Sequence, residues 1–436
     1  MVNRNRGRVL VGMSGGVDSS VAAWLLLQEG YEVVGVTLNL WSYEGRQEPY
    51  NECCSLEVRV VAEQLGIEHH FVDAGEGFYR QVVRPFVQEY TAGRTPSPCG
   101  RCNRWVRFPK LLELAEEWGC DAVATGHHAR IRWDEEEGRY RLLRGADPWK
   151  DQSYFLYGLN QDQLARLRFP VGEHTKEEIW EIARAQGLVA ARKRESQDLC
   201  FLPHGDPRSF LRDRAEGERG LTPGEIVDWK GRVLGRHEGL AFYTVGQRRG
   251  LGIAAGERLY VIALDVVHNR VIVGPEEALY CAGLIAEDVH FIDPKLGEAV
   301  SRHGAPPVSI EVKVRYRSRA VPALLRGRPA EATSRLQVAV EFTQEPQRAV
   351  TPGQLAVFYQ GEEVLGGGTI VRALPRIPEA AQTPGPQSEE EGEENGADER
   401  LSPLSALSGD EEGFHPLGAP DGVVELVTAS AHQIDP

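Results

Sequence analysis

The chain has 436 residues, enough for two or three domains with separate cores, and no apolar run in it reaches the roughly 18 residues of a membrane span. Its seven cysteines form no disulfide framework and its N-terminus lacks the apolar segment of a signal peptide, so it reads as a cytoplasmic protein with no membrane partner. The net charge of −15 is local: from Ile377 onward 14 acids face one Arg, which leaves about −2 for the preceding 376 residues and keeps nucleic acid open as a partner.

In chain order, the first predicted element is a strand at the apolar run Val9–Val11. It leads through Gly12-Met13-Ser14-Gly15-Gly16-Val17-Asp18-Ser19 into the helical pattern Val21–Leu27. A Gly-rich turn of this kind leaves backbone N–H groups unpaired at a helix N-terminus, where the helix dipole also favours negative charge. Gly15 and Gly16 permit φ > 0 and close approach to a ligand, and Ser14 and Ser19 add hydroxyl donors. The stretch lacks Gly-Lys-Ser/Thr, so it is not a Walker A loop, and its glycine spacing misses the dinucleotide fingerprint. The bland alternative is an ordinary strand-to-helix turn with Asp18 as the helix cap.

Glu32–Leu38 reads as a second buried parallel strand, Cys54–Leu65 as a helix, His69–Asp73 as a strand and Gly77–Tyr90 as a helix. Strands alternating with helices make βαβ units and a doubly wound α/β parallel sheet, whose ligands sit beyond the C-terminal strand ends. Residues 12–19 fall there. Trp105–Trp118 reads as an amphipathic helix, Asp121–Thr125 as a buried strand ending in Gly126-His127-His128, and Ile131–Leu143 as a hairpin. Lys150-Asp151-Gln152-Ser153 follows, and a capping box at Thr175–Glu178 opens a helix over Glu177–Gln186. From Asp206 the texture changes to short β-like runs: Gly224–Val227, Leu240–Tyr243, Leu259–Asp265 and Arg270–Val273. Ser309–Tyr316, Leu336–Phe342, Gln354–Tyr359 and Val364–Ile370 alternate like the strands of a small barrel. The expected domains are therefore 1–205, 206–282 and 283–376. The tail, 377–436, is rich in Pro, Gly, Ser and Glu and lacks the apolar surface to fold.

The segment Thr95-Pro96-Ser97-Pro98-Cys99-Gly100-Arg101-Cys102-Asn103 carries a C-x-x-C pair, and Cys200 follows far along the chain beside Asp198. The two prolines exclude a helix before Cys99, so both thiols fall on a stiff loop ahead of a helix N-terminus, which predicts lowered thiol pKa values. Structural zinc wants four ligands, and there is one such pair. Cys120 and Cys281 read as core, and Cys53-Cys54 as either core or functional. Two functional readings stand for Cys99, Cys102 and Cys200: persulfide and disulfide chemistry, or a three-cysteine [4Fe–4S] cluster with an open iron position.

Residues 12–19 resemble the PP-loop of ATP pyrophosphatases, which bind the β,γ-pyrophosphate of ATP and transfer AMP to an oxygen. Together with Thr95-Pro-x-Pro-x-x-x-Cys-Asn103, Gly126-His127, Asp151-Gln-Ser-Tyr-Phe-Leu156 and Ser196-Gln-Asp-Leu-Cys200, they make the chain similar to the bacterial tRNA-specific 2-thiouridylase family from Arg8 to Arg372. Gly246–Gly252, Val314-Arg315-Tyr316-Arg317, Pro352-Gly353-Gln354 and Leu365–Gly368 extend the likeness. The resemblance implies a PP-loop domain of the HUP type, a central linking domain and a C-terminal β-barrel. It implies that ATP, with Mg2+ and Asp18 as a candidate ligand for it, adenylates the C2 oxygen of the wobble uridine of tRNA. Persulfide sulfur then replaces that oxygen and AMP leaves. Gly12, Met13, Ser14, Gly15, Gly16, Val17, Asp18 and Ser19 would hold the phosphates, and Leu38 and Gly126 would line the adenosine site. Cys102 would be the nucleophile and Cys200 the persulfide carrier, joined in a disulfide after sulfur delivery. Contacts to tRNA are implied for Ser97, Pro98, Cys99, His127, Lys150, Asp151, Gln152, Arg315, Tyr316 and Gln354. Arg248, Arg249, Arg317 and Arg319 suit phosphates. The sulfur donor would be a cysteine desulfurase or a relay protein.

One position departs from the family pattern. Asn-Pro-Asp is common where this chain has Ser97-Pro98-Cys99, and the thiol in place of the acid supplies the third cysteine of the cluster reading. Two other functions use part of the pattern. Another PP-loop adenylating ligase needs residues 12–19 but not the three cysteines. An iron–sulfur RNA-binding module needs the cysteines and the barrel but not Ser14-Gly15-Gly16. The chain has both sets.

Overall fold

The computed structural model describes residues 6–41, 56–192, 199–202, 206–215, 217, 219–254, 256–328 and 336–375. Cys53, Cys54, residues 196–198 and the acidic tail lie outside the described residues.

Val9-Leu10-Val11 is apolar toward both faces and forms β1 (Arg8–Gly12), the middle strand of a five-stranded sheet. α1 (Val17–Gln28), β2 (Glu32–Asn39), α2 (Leu56–Leu65) and β3 (Glu68–Asp73) wind outward on one side. α3 (Gly75–Phe78), a π-helical turn (Tyr79–Val83) and α4 (Arg84–Thr91) continue as one helical run. α5 (Pro98–Cys102), a second π-helical turn (Asn103–Arg107) and α6 (Phe108–Glu117) form another, which returns the chain to β4 (Ala122–Thr125) on the far side of β1. A hairpin of β5 (Ala129–Asp134) and β6 (Arg139–Arg144) follows, then α7 (Gln161–Arg166), the short β7 (Leu167–Arg168) and α8 (Lys176–Ala185). The strand order is β3-β2-β1-β4-β7, every pair parallel. Alternate side chains of β1 serve opposite layers: Leu10 packs with Phe108 and Leu111, while Val9 and Val11 pack with Leu26, Val58 and Val61. This is the doubly wound sheet expected from the sequence. Its winding reverses between β1 and β4, the crevice where open α/β sheets bind ligands. The capping box is also present: Thr175 Oγ1 accepts from the Glu178 N–H at 3.3 Å, and Glu178 Oε2 accepts from the Thr175 N–H at 2.8 Å.

α9 (Pro207–Arg214) leads into β8 (Gly224–Asp228), β9 (Val233–His237), β10 (Tyr260–Asp265) and β11 (Arg270–Gly274), in the order β10-β11-β8-β9. Aromatic edges join this domain to the first: Phe210 meets Phe86 at 6.1 Å and Phe201 at 5.4 Å. Leu240–Tyr243, expected as a strand, contains instead a 3₁₀ turn at Leu240–Phe242. Its apolar residues are buried in a corner against α4, and a run buried on all sides carries no period to separate strand from turn.

The last domain holds β12 (Tyr280–Phe291), α10 (Pro294–Ser301), β13 (Val308–Lys313), β14 (Val321–Arg328), β15 (Gln337–Phe342), β16 (Gln347–Arg348), β17 (Leu355–Gln360) and β18 (Glu363–Pro375). Six strands close a barrel in the order β12-β15-β14-β13-β17-β18, with β18 pairing back onto β12. β12 and β14 are absent from the sequence expectations: three register shifts break the pairing of β12 with β18, and Pro322 sits near the start of β14. The β5–β6 hairpin of the first domain adds to this sheet, Leu143 lying beside Glu363 and Leu142 beside Val364. Glu363 is 2% exposed and accepts from Arg139 at 2.5 Å and Arg141 at 2.7 Å. A buried carboxylate shared by two guanidiniums fixes the barrel to the sheet domain. Among the described residues, no helix is long and apolar enough to cross a membrane.

Candidate active site at the β1–β4 crevice

Gly12 ends β1 opposite Thr125 at the end of β4, and Met13 to Gly16 turn the chain into α1. Gly15 takes φ +74°, which glycine adopts without strain. The Met13 N–H donates to Val36 O at 2.8 Å and the Ser14 N–H to Ser19 Oγ at 3.2 Å. Gly16 is the N-cap residue and offers no side-chain cap, so it leaves the first-turn N–H groups for a ligand. A Cβ on Gly126 would stand 2.5 Å from Ser19 N, so glycine is what lets the end of β4 approach α1.

The loop borders a cavity of about 280 Å3. Gly12, Met13, Ser14, Gly16, Asp18, Ser19, Leu38 and Gly126 line it, as do His127, Gln152 and Cys200. Gly15 and Val17 do not; Val17 turns into an apolar cluster with Ile179 and Ala183 of α8. Thr37, Trp41, Arg107 and Thr125 also line it, with the apolar Val36, Leu40 and Leu111, and sequence reasoning gave none of them a place in the site.

Asp18 is not the helix cap. Lys176 Nζ donates to its two oxygens at 2.6 and 2.7 Å, and His128 Nε2 lies 3.0 Å from Oδ1. Burial pushes the Asp18 carboxyl up, but the His128 hydrogen bond and the Lys176 charge outweigh it and hold the group below the usual carboxylate range. In this structure it is a carboxylate paired with Lys176 and His128. Behind the loop, Thr37 Oγ1 donates to Met13 O at 2.9 Å and lies 3.0 Å from His69 Nε2. Burial holds His69 at about 4, so it stays neutral. His127 is also neutral. Its Nδ1 is 2.7 Å from Thr125 Oγ1, its ring meets Phe108 and Phe169, and burial, aided by the Arg107 charge, holds it at about 3.

The cysteines correct one expectation. A proline at the first helical position needs no N–H, so α5 starts at Pro98 with Ser97 as its N-cap residue. Cys99 and Cys102 therefore sit one turn apart inside the helical run, not on a loop ahead of it. Their thiols are not lowered: burial pushes Cys99 up to about 11 and raises Cys102, against the pull of Arg107. Cys99 keeps an exposed side but is ringed closely enough for desolvation to dominate. Cys102 is buried in the apolar cluster that holds Val106, Phe201 and Leu202, next to the residues following Cys200. Cys200 is exposed and opens on the cavity. Among the described residues, no three His, Cys, Asp or Glu side chains are gathered to hold a metal, so Cys99, Cys102 and Cys200 do not form a ready cluster cradle.

The loop before Cys99 is held by the other two domains. The Thr95 N–H donates to Pro352 O at 2.8 Å, Gln354 Nε2 to Thr95 O at 2.9 Å, and Thr95 Oγ1 to Thr244 Oγ1 at 3.1 Å. Gly353 takes φ +91°, and a Cβ there would stand 2.8 Å from Thr95 N and O. Arg315 Nη2 donates to Ala349 O at 2.5 Å and Thr351 Oγ1 at 2.7 Å. Asp151 is buried and accepts from the Gly145 and Ser153 N–H groups. In this structure Asp151, Arg315 and Gln354 thus hold polar contacts inside the protein. Gln152 Oε1 accepts from the His128 N–H, Tyr316 packs on Phe155 at 4.5 Å, and Lys150 is half-buried. Arg248, Arg249, Arg317 and Arg319 are exposed.

Residues 7–204 match the domain family described as tRNA methyl transferase HUP domain, 208–275 the tRNA methyl transferase PRC-barrel domain and 282–370 the Aminomethyltransferase beta-barrel domain. The tRNA-specific 2-thiouridylase MnmA of Heliobacterium modesticaldum is 48% identical over 376 residues, 85% of this chain and 94% of that one. The chain belongs to the tRNA-specific 2-thiouridylase family. A second thiouridylase, from Carboxydothermus hydrogenoformans, is 46% identical over 375 residues, 85% of this chain and 99% of that one. The domain descriptions speak of methyl transfer, but the thiouridylases match all three domains in one chain at these identities and decide the family. The U34-tRNA thiolase NcsA of Methanococcus maripaludis, solved with its [4Fe-4S] cluster, is 21% identical at a TM-score of 0.29 over 49% of this chain and 65% of that one, too distant to inform it. Within this thiouridylase, the wall residues missed from the sequence had one faint signal: Arg101, Arg104 and Arg107 recur every third residue after the first cysteine.

Proposed function

We propose that this chain is a tRNA-uridine 2-sulfurtransferase that adenylates the C2 oxygen of the wobble uridine and exchanges it for sulfur, giving 2-thiouridine, AMP and pyrophosphate. The observation that carries the reading is one cavity walled by both the PP-loop and Cys200, in a chain of the thiouridylase family.

The first-turn N–H groups of α1, with the glycines of the loop before it, take the β- and γ-phosphates of ATP, and Leu38 and Gly126 flank the adenosine. Mg2+ entering with ATP beside Ser14, Asp18 and Ser19 would supply charge neutralisation for the pyrophosphate leaving group. The wobble uridine enters unstacked, as base-modifying enzymes require. Its C2 oxygen attacks the α-phosphorus: an O–P bond forms and pyrophosphate leaves. Persulfide sulfur on Cys200 then attacks C2, and the C–O bond breaks as AMP leaves with the oxygen. Cys102 attacks the Cys200 sulfur, which frees the thiolated base and leaves a Cys102–Cys200 disulfide for an external thiol to reduce. Ser97, Pro98, Cys99, His127, Lys150, Gln152 and Tyr316 stand near the base and anticodon loop, and the exposed arginines take RNA phosphates. Asp151, Arg315 and Gln354 act by fixing the loops that carry these groups.

Sulfur arrives from a cysteine desulfurase or a relay protein in the cytoplasm. Residues 1–205, 206–282 and 283–376 are the working domains, and the tail over 377–436 is dispensable. Cys99 favours a second reading, a [4Fe–4S] cluster on Cys99, Cys102 and Cys200. Those residues are not gathered for it in this structure. The test is incubation of the full chain with unmodified tRNA, ATP, Mg2+ and a cysteine desulfurase with cysteine, read as 2-thiouridine by nucleoside mass spectrometry. Product should require ATP, Cys102 and Cys200; sulfur incorporation without ATP would contradict the reading.

A further inference from the structure

The helical run that carries Cys99 and Cys102 also carries Arg101, Arg104 and Arg107. Two of these arginines are committed to neighbours. Arg101 donates to the Gln81 carbonyl, and Arg104 pairs with Asp288 of β12 at 3.1 Å. Arg107 differs. Its Nη1 donates to Asn103 Oδ1 at 2.9 Å and reaches His127 Nε2 at 3.5 Å, and among the described residues no carboxylate lies within ion-pair distance of it. Both contacts are neutral. Asn103 is itself fixed by donating to Phe155 O at 3.2 Å, and His127 is anchored on Thr125. The guanidinium is thus aimed but not neutralised, in the wall of the cavity that the PP-loop also lines.

A half-buried cation without a counter-charge is unfavourable until an anion completes it, and the planar guanidinium fork matches a phosphate. Position narrows the choice. Arg107 reaches His127, which is anchored on Thr125 at the end of β4, while the PP-loop N–H groups lie at the start of α1. With the β- and γ-phosphates on the loop, the remaining anionic group of the nucleotide is the α-phosphate.

We propose that Arg107 is a catalytic residue whose guanidinium binds the α-phosphate of the nucleotide, on the side of the cavity that adjoins Cys102. This rests on the thiouridylase reading above. The α-phosphate is charged at every stage: its bond to the β-phosphate oxygen breaks as the uridine oxygen bonds to phosphorus, and later it receives the C–O electron pair when AMP leaves. One fixed cation therefore stabilises both departures. The same charge lies beside Cys102, where a thiolate must form.

The test compares Arg107→Lys, Arg107→Met and Arg107→Ala with wild type in three measurements. The first is affinity for AMP without RNA, the second affinity for unmodified tRNA without nucleotide, and the third tRNA-dependent pyrophosphate release. Arg107→Met should weaken AMP binding roughly tenfold, slow pyrophosphate release about 100-fold and leave tRNA affinity within about threefold, which also reports an intact fold. Arg107→Lys should retain more activity than Arg107→Met, and added guanidinium ion should restore part of the Arg107→Ala rate. Lost tRNA affinity with AMP affinity intact would move the contact to an RNA phosphate and overturn the proposal, as would wild-type pyrophosphate release by Arg107→Met. If wild type itself gives no tRNA-dependent release, the thiouridylase reading fails, and the AMP titrations still decide the Arg107 contact.

Discussion

Lys176 Nζ lies 2.6 and 2.7 Å from the two carboxylate oxygens of Asp18, tying the first turn of α8 to the first turn of α1. α8 is capped by its own Thr175 and by Asp147, and its lysine supplies positive charge where the PP-loop turns into α1. Lys176→Met strands a carboxylate in a poorly solvated place and should cost about 3 kcal/mol in urea unfolding, with weaker ATP binding. Asp18→Asn should do the same, and the double variant should lose less than the sum, since each change removes one interaction. The Asp18 pKa is lowered on folding, so the pair's contribution is complete above its ordinary value of 3.8 and lost as pH falls through the folded value.

The barrel's hold on the segment before Cys99 predicts a catalytic effect at a distance. Gly353→Ala puts a methyl 2.8 Å from the Thr95 backbone at φ +91°. It should slow thiolation at saturating tRNA by about tenfold or more, because misplacing a reacting group slightly is expensive in rate. Gln354→Ala should produce a smaller fall in the same quantity. A change confined to tRNA affinity, with turnover intact, would reassign this corner of the barrel to RNA contact.

Cys99 offers a direct choice between the two sulfur mechanisms. Under the persulfide account Cys99→Asp restores the acid common at this position and should keep activity within about tenfold of wild type, whereas Cys102→Ser and Cys200→Ser abolish it. Under the cluster account all three changes abolish it together, with loss of iron and of the visible absorption band.

Two neutral histidines give a stability signature. His69 and His127 are held by burial at about 4 and about 3, so the unfolded chain binds their protons first as pH falls below 6.5. Stability from these groups is present above pH 6.5 and declines through that window. Replacing His127 by Gln should flatten the fall in unfolding free energy between pH 6.5 and 4, measured by urea titration at each pH.

Truncation after Arg376 should leave thiolation unchanged. The matched domain families end at residue 370.

The sequence made the sheet domain legible because its strands and helices differ in period and length, and because Gly15 and Gly126 answer steric needs that few other residues meet. Gly126 makes the point: a Cβ there would meet Ser19 N at 2.5 Å, a contact between segments a hundred positions apart that composition cannot show. The barrel was only partly legible, since bulges break the alternation of β12, and in the middle domain burial on all sides hides the period at Leu240. At the site, residues inside motifs were found and their partners were not. Lys176 looked like the first residue of a capped helix, and only folding brings it onto Asp18. The thiol pKa values failed for a related reason: local sequence shows the helix N-terminus, but the desolvation that dominates comes from distant residues such as Phe201 and Leu202.

The most direct measurement of the central claim follows one oxygen. Unmodified tRNA carrying 18O at C2 of the wobble uridine is reacted with ATP, Mg2+ and a persulfide donor, and AMP and pyrophosphate are analysed by mass spectrometry. Adenylation of the C2 oxygen followed by sulfur displacement predicts one 18O in AMP for each 2-thiouridine formed and none in pyrophosphate. 2-Thiouridine formed with unlabelled AMP would contradict it.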